Sequence, residues 1–360
     1  MNSKETENIY YNIDIVNSKT DSNNTLNDPI ASFSETRDVS IVDNASHYRL
    51  AITRFTMNGI KDLPLFIPTI EPKQPNPNQT VYWITLGFDD KISSKPVMFQ
   101  PEGTGLTLRT QQFTSQNLSE DYYYIHTYQH MVNLLNQTFQ NAVEDLITQG
   151  APASIYAPIM TFNTDTRKFD LYAPTNNMSI YLNNNAFNLF SNFPRTYNKD
   201  APQAQAYLIQ TTPIINTEIK QYINHEYAII LQEAPSIGTF WSPIGSIVFT
   251  SSLLPIVPEG VAPPLVFGDS NISTPTSSIS NFEPIITDIA LTLDDAYEYK
   301  QFVSYIPTSQ YRYVSLTNSD QPIKNISINV YWKARLTGQL VPLKMSNQSN
   351  ISIKFLFERK

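Results

Sequence analysis

Hydrophobic and polar positions alternate along most of this chain, and the clearest alternation stands at its C-terminal end. In residues 325–334, Ile326, Ile328, Val330 and Trp332 fall on one side and Ser327, Asn329, Tyr331 and Lys333 on the other, the period of two of a half-buried strand. Ile351, Ile353, Phe355 and Phe357 repeat the pattern against Ser352, Lys354 and Glu358. A terminus carrying such a stripe is expected to be tied into the sheet, with its partners far upstream. Those partners are predicted near the N-terminus. Ile9, Tyr11, Ile13 and Ile15 make a first strand, a second is expected near residues 37–42, and a third covers residues 48–57. In the third, Leu50 and Ile52 share one face while Phe55 and Met57 fall on the other, so either both faces are buried or a bulge resets the phase.

The run Leu63-Pro64-Leu65-Phe66-Ile67-Pro68 is apolar, yet its prolines cannot donate to a ladder; it is an edge strand or an extended connection. Tyr82, Ile84, Leu86 and Phe88 form another alternating strand. The period then changes. Tyr128, Met131, Leu135, Phe139, Ala142 and Leu146 step by three or four, the stripe of an amphipathic helix, which Gly150 and Pro152 end. Residues 159–162 and 169–172 flank a polar turn and predict a hairpin. Short strands follow at 178–182, 207–210 and 227–231, with a helical turn at 186–190. Strand character returns from residue 240 to 254, then in 285–293 and 311–316, on either side of a long Pro- and Ser-rich loop at 255–284.

Residues 1–105 and 226–360 therefore predict the two parts of an antiparallel β-sandwich. Residues 106–225, which mix helix and strand, predict an inserted α+β domain. The expected fold is mainly β, with about eight strands in two sheets arranged as a jelly roll or an immunoglobulin-like sandwich.

Composition supports this and narrows the function. The 360 residues are 41% hydrophobic and 12% aromatic, with 25 prolines but only 10 glycines, as expected of many short aromatic strands joined by Pro, Asn and Ser turns. A net charge of -8 without basic clusters argues against a general nucleic-acid binder, which needs Lys and Arg to neutralise phosphates. With no cysteine, disulfides and thiolate-bound metals are excluded. The N-terminus lacks the apolar core of a signal peptide, and residues 244–257 are too short and too polar to span a bilayer; synthesis in the cytoplasm is the expectation.

In residues 48–55 (Tyr-Arg-Leu-Ala-Ile-Thr-Arg-Phe), 63–68, 240–244 (Phe-Trp-Ser-Pro-Ile), 247–255, 328–332 (Ile-Asn-Val-Tyr-Trp) and 351–360, the chain resembles the penton, or minor capsid, proteins of virophages and polinton-like viruses. The resemblance covers both β flanks and, more loosely, the helix and hairpin between them. It implies a single jelly roll with an insertion, five copies of which close each fivefold vertex of an icosahedral virion. The implied partners are the chain itself, as a homopentamer, the major capsid protein of the same virus, and a host surface reached through the insertion. No enzymatic activity, cofactor or metal is implied.

His126 and His130 stand at i and i+4, a spacing able to hold zinc, but Thr127 occupies the place of the glutamate a zinc protease needs, so a structural role is preferred. Gly268-Asp269-Ser270 echoes an esterase nucleophile turn, yet sits in a loop rather than after a strand. Asp89-Asp90 and Asp294-Asp295 could bind calcium or serve as a glycosidase pair, but both follow strands, where Asp forms turns. The ten glycines form no phosphate-binding loop. A non-enzymatic capsid subunit is thus the primary expectation. The alternatives are a carbohydrate-binding or host-attachment module using the 255–284 loop and, more weakly, a glycoside hydrolase.

Overall fold

The computed structural model describes residues 8–18, 29–57, 62–102, 107–211, 219–222, 225–236, 241–257, 284–291, 302–307, 310–317 and 320–360. In chain order the first strands are β1 (Asn8–Val16), β2 (Ser32–Thr36), β3 (Tyr48–Met57), β4 (Gln79–Phe88) and β5 (Lys91–Met98), followed by helix α1 (Tyr128–Thr148). Next come β6 (Ile159–Asn163), β7 (Lys168–Pro174), β8 (Ser179–Leu182), α2 (Asn184–Leu189), β9 (Arg195–Tyr197), β10 (Tyr207–Ile209), β11 (Ile219–Tyr222) and β12 (His225–Leu231). The chain closes with β13 (Ile244–Thr250), β14 (Ile285–Ala290), β15 (Val303–Tyr305), β16 (Val314–Ser315), β17 (Asn325–Ala334), β18 (Leu340–Pro342) and β19 (Asn350–Arg359).

These elements pack as two compact units, one of residues 1–64, 117–121 and 242–360, the other of 65–116 and 122–241. The first unit holds two antiparallel sheets. One runs β1-β19-β3-β15, with β16 on β3; the other runs β14-β13-β17-β18, with β2 on β17. Because β19 occupies one edge of β3 along its whole length, β15 and β16 share the other edge. Asn329 pairs with both Thr250 and Ser32, so β2 lies on the edge of β17 opposite β13, in line with β18. Each sheet thus has four strand positions, and the chain passes between the sheets at almost every step: β1, β2, β3, β13 with β14, β15 with β16, β17 with β18, β19. That interleaving is a jelly roll.

The terminal strand is the centre of this unit. Over nine registered positions each, β19 pairs with β1 and β3, and Ile351, Ile353, Phe355 and Phe357 are essentially inaccessible. Burial of such side chains contributes roughly 1.5–3 kcal/mol apiece. The phase problem in β3 is resolved by a bulge. Arg54 stands opposite Lys354 and Ile52 opposite Phe355, so Thr53 is the extra residue. Leu50, Ile52, Phe55 and Met57 therefore all line up with the buried row of β19. From the facing sheet Phe249 meets Phe55 edge-on, ring centroids 5.0 Å apart, which closes the core.

The second unit has a five-stranded sheet, β5-β4-β8-β10-β9, and a four-stranded sheet, β11-β12-β7-β6. Helix α1 packs on this unit with every residue of its predicted stripe buried. Thr127 caps its N-terminus by accepting the His130 N–H at 3.1 Å, and Gly150, at φ +93°, takes the left-handed conformation that ends it. Trp241 anchors an aromatic core with ring centroids 5.0 Å from Phe66, 5.1 Å from Tyr128 and 5.3 Å from Phe169. Its indole N–H donates to the Leu189 carbonyl at 2.7 Å, so the most demanding polar group of that core is satisfied.

Several expectations change here. The second strand lies at Ser32–Thr36, and within 37–42 only Val42 makes a bridge, to Ile323. The compact units divide at Pro64/Leu65 and Trp241/Ser242, whereas the sequence divides most visibly at 105/106 and 225/226. The physical reason is pairing: β4 looks like a strand of the flanks, yet it bonds to β8 across residues 84–87 and so belongs with the second unit. Residues 65–68 form a buried connection in which Phe66 bridges to Ile125.

Candidate functional site

The two histidines have different neighbours. His130, in the first turn of α1, hydrogen-bonds the Gln100 carbonyl through Nε2 at 2.7 Å and packs its ring on Phe99 with centroids 5.9 Å apart. His126 instead lies edge-on to Tyr124, at 6.2 Å. With a backbone carbonyl on Nε2 and an aromatic wall behind it, His130 fixes the start of the helix on the chain that follows β5. Among the described residues no three His, Cys, Asp or Glu side chains gather in a metal-binding group.

Asp89 and Asp90 form the two-residue turn between β4 and β5, in which Phe88 pairs with Lys91. Asp89 sits in the left-handed region at φ 51°, a conformation Asp tolerates better than most residues. Asp90 accepts from Lys91 Nζ at 2.8 Å, and that bond holds its carboxyl below the usual carboxylate range. The two residues form the turn of this hairpin. Asp294-Asp295, Gly268-Asp269-Ser270 and most of the 255–284 loop lie outside the described residues.

The polar groups of the jelly roll tie its strands together. Arg49 of β3 donates through Nε to Glu358 of β19 at 2.5 Å, and its guanidinium lies 3.8 Å from the centroid of the Tyr313 ring. Burial, then the Glu358 carboxylate, push the Tyr313 phenol up. At the opposite edge of that sheet, Tyr11 of β1 donates to Glu35 of β2. Burial first and that carboxylate second raise the Tyr11 phenol to about 12. Both clusters carry opposite charges beside a tyrosine; the first joins the paired strands β3 and β19, and the second joins β1 to β2 of the other sheet.

The exposed apolar side chains are unevenly shared. Among the described residues, eleven of the sixteen large hydrophobic side chains open to solvent belong to the first unit, including Tyr10 and Val16 on β1, Val39, Phe302, Ile306 and, at 78% exposure, Leu336. Single exposed apolar residues are ordinary, and among the described residues the first unit carries more of them than the second. Sequence reasoning missed these positions because most lie in loops or on the outward face of β1, where no periodicity distinguishes them. Among the described residues no helix is long and apolar enough to cross a membrane.

Comparison with known proteins places this geometry in context. Residues 9–359 match the family described as Sputnik minor capsid protein V18/19. A chain of the Sputnik virophage structure determined by cryo-EM superposes with a TM-score of 0.80 at 24% identity, covering 99% of each chain. The crystal structure of the mavirus penton protein superposes with a TM-score of 0.61 at 17% identity, covering 98% of this chain and all of that one. No curated protein matches.

Proposed function

We propose that this chain, which belongs to the Sputnik minor capsid protein V18/19 family and is a structural component of a virion capsid, closes the fivefold vertices of an icosahedral shell as a homopentamer. The observation that carries the reading is the family match from residue 9 to 359, which runs through both parts of the jelly roll and everything between them. The likeness to the mavirus penton protein supports the vertex position. Self-association falls to the jelly roll, where exposed apolar side chains are concentrated, and the major capsid protein of the same virus contacts its rim. The second unit is the insertion, carried between β3 and β13. The role is non-enzymatic, and the site of action is the capsid vertex, after synthesis in the host cytoplasm.

Native mass measurement of the purified protein, with negative-stain images of the same sample, tests this. Five copies in a closed ring are the expected result. A stable monomer, dimer or trimer at every concentration that keeps the protein soluble would overturn it.

A further inference from the structure

A cleft of about 210 Å³ opens in the second unit between one stripe of α1 and the chain that follows β5. Its lining contains five carboxamide side chains and no charged one. The apolar part is firmly held. Phe99 is fully buried, with ring centroids 5.6 Å from Tyr122, 5.1 Å from Tyr123 and 5.9 Å from His130, and Leu134 of α1 is also part of the lining.

The carboxamides divide into those that hold the walls and those with capacity to spare. Asn78 is spent, donating to the Arg109 carbonyl at 3.2 Å and accepting from the Tyr122 hydroxyl at 3.2 Å. Asn76 accepts the Asn78 N–H at 2.9 Å, which leaves its Nδ2 as a donor. Gln137 donates to Asn141 at 3.1 Å, leaving Gln137 Oε1 as an acceptor and Asn141 Nδ2 as a donor. The Gln100 carboxamide has no hydrogen bond to another described residue, while its backbone is pinned by His130 at 2.7 Å. Donors and acceptors are thus interspersed around the side chains of Met98 and Leu108, the apolar lining residues that are not buried, while Phe99 and Leu134 form the packed wall behind them.

We propose that this cleft binds one uncharged sugar ring. A hydroxyl both donates and accepts, and a carboxamide offers one function of each kind. An anion or a cation would lack a counter-charge in this lining, and a purely apolar ligand would strip water from the carboxamides without replacing it. A pyranose supplies hydroxyls at its rim and C–H faces for Met98 and Leu108, and the volume suits a single ring, below the roughly 300–1,000 Å³ of sites for larger ligands.

Saturation-transfer NMR of the full chain with free neutral hexoses and N-acetylhexosamines at tens of millimolar, and a glycan array run in parallel, test this and separate a free sugar from the end of a glycan chain. Binding of a neutral ring that is insensitive to salt is expected. The double variant Gln137→Leu, Asn141→Leu, at exposed helix positions, should weaken it roughly tenfold, as two lost neutral hydrogen bonds imply, with the melting temperature unchanged. Gln100→Ala provides a second, independent variant should the first fail to fold. Absence of neutral-sugar binding to the wild type, binding that survives both variants, or binding restricted to charged saccharides would overturn the proposal. The inference stands apart from the vertex reading, because subunit count is measured on the same sample without sugar.

Discussion

Ser327 is 5% exposed, and its hydroxyl accepts the N–H groups of Ser252 at 3.2 Å and Leu253 at 3.0 Å. It also contacts the Ser251 hydroxyl at 3.2 Å and that of Ser252 at 3.1 Å. One side chain of β17 therefore satisfies the turn that follows β13, and no water replaces it easily. Ser327→Ala should cost about 1–3 kcal/mol, read as a lower urea midpoint at unchanged slope. A second residue-scale prediction concerns Asp145 of α1, which accepts from Ser93 at 2.6 Å, forms an ion pair with Lys95 of β5 at 3.2 Å and accepts from Gln149 at 3.2 Å. The Ser93 hydrogen bond, more than any other group, holds its carboxyl below the ordinary 3.8. A lowered folded value stabilises the protein above the unfolded value, and the contribution disappears as pH falls through the folded one. Asp145→Ala should lower the melting temperature at neutral pH, and the gap to wild type should close in acid, as thermal scans across pH would record.

At the scale of elements, β19 is the part the jelly roll cannot lose. It fills an interior position between β1 and β3, so removing residues 351–360 leaves two strands without a shared partner and uncovers the buried rows of both. The truncated chain is expected to show no cooperative thermal transition; a soluble product with a sharp melt would refute this. The alternation of β19, β17 and β1 was legible in the sequence because each has one face in the core and one outside. β5 was not. Its residues Ile92, Ser93, Ser94, Lys95, Pro96 and Val97 lack an apolar row, since it is an edge strand of its sheet, where Pro96 forfeits little, and Ser93 is buried by a bond to Asp145 rather than by hydrophobicity. The short strands β9, β11, β15 and β18 were equally silent, being too short for any period to register.

For the whole molecule, the division into units governs what can be removed. Deleting residues 106–225 takes away α1 and β8, the partners of β5 and β4, so that variant should aggregate. Replacing residues 65–241 with a flexible linker removes the second unit entire and should leave a soluble, cooperatively melting β-sandwich. The Asp121–Lys344 ion pair, 3.5 Å long, would go with it. Far-UV circular dichroism and size-exclusion chromatography of the two variants compare these outcomes directly.

The sequence by itself determined the secondary structure of the half-buried strands, the helical stripe of α1 and the mainly β character, because each follows from a local period that burial of one face imposes. Its motifs also carried the resemblance to minor capsid proteins. Only the tertiary structure decided that Thr53 is a bulge, that β4 belongs with β8 rather than with the flanks, and that Asn76, Gln100, Gln137 and Asn141 share one cleft. Register, partnership and convergence depend on which distant residues meet, and the sequence pattern around each residue records only whether it is buried.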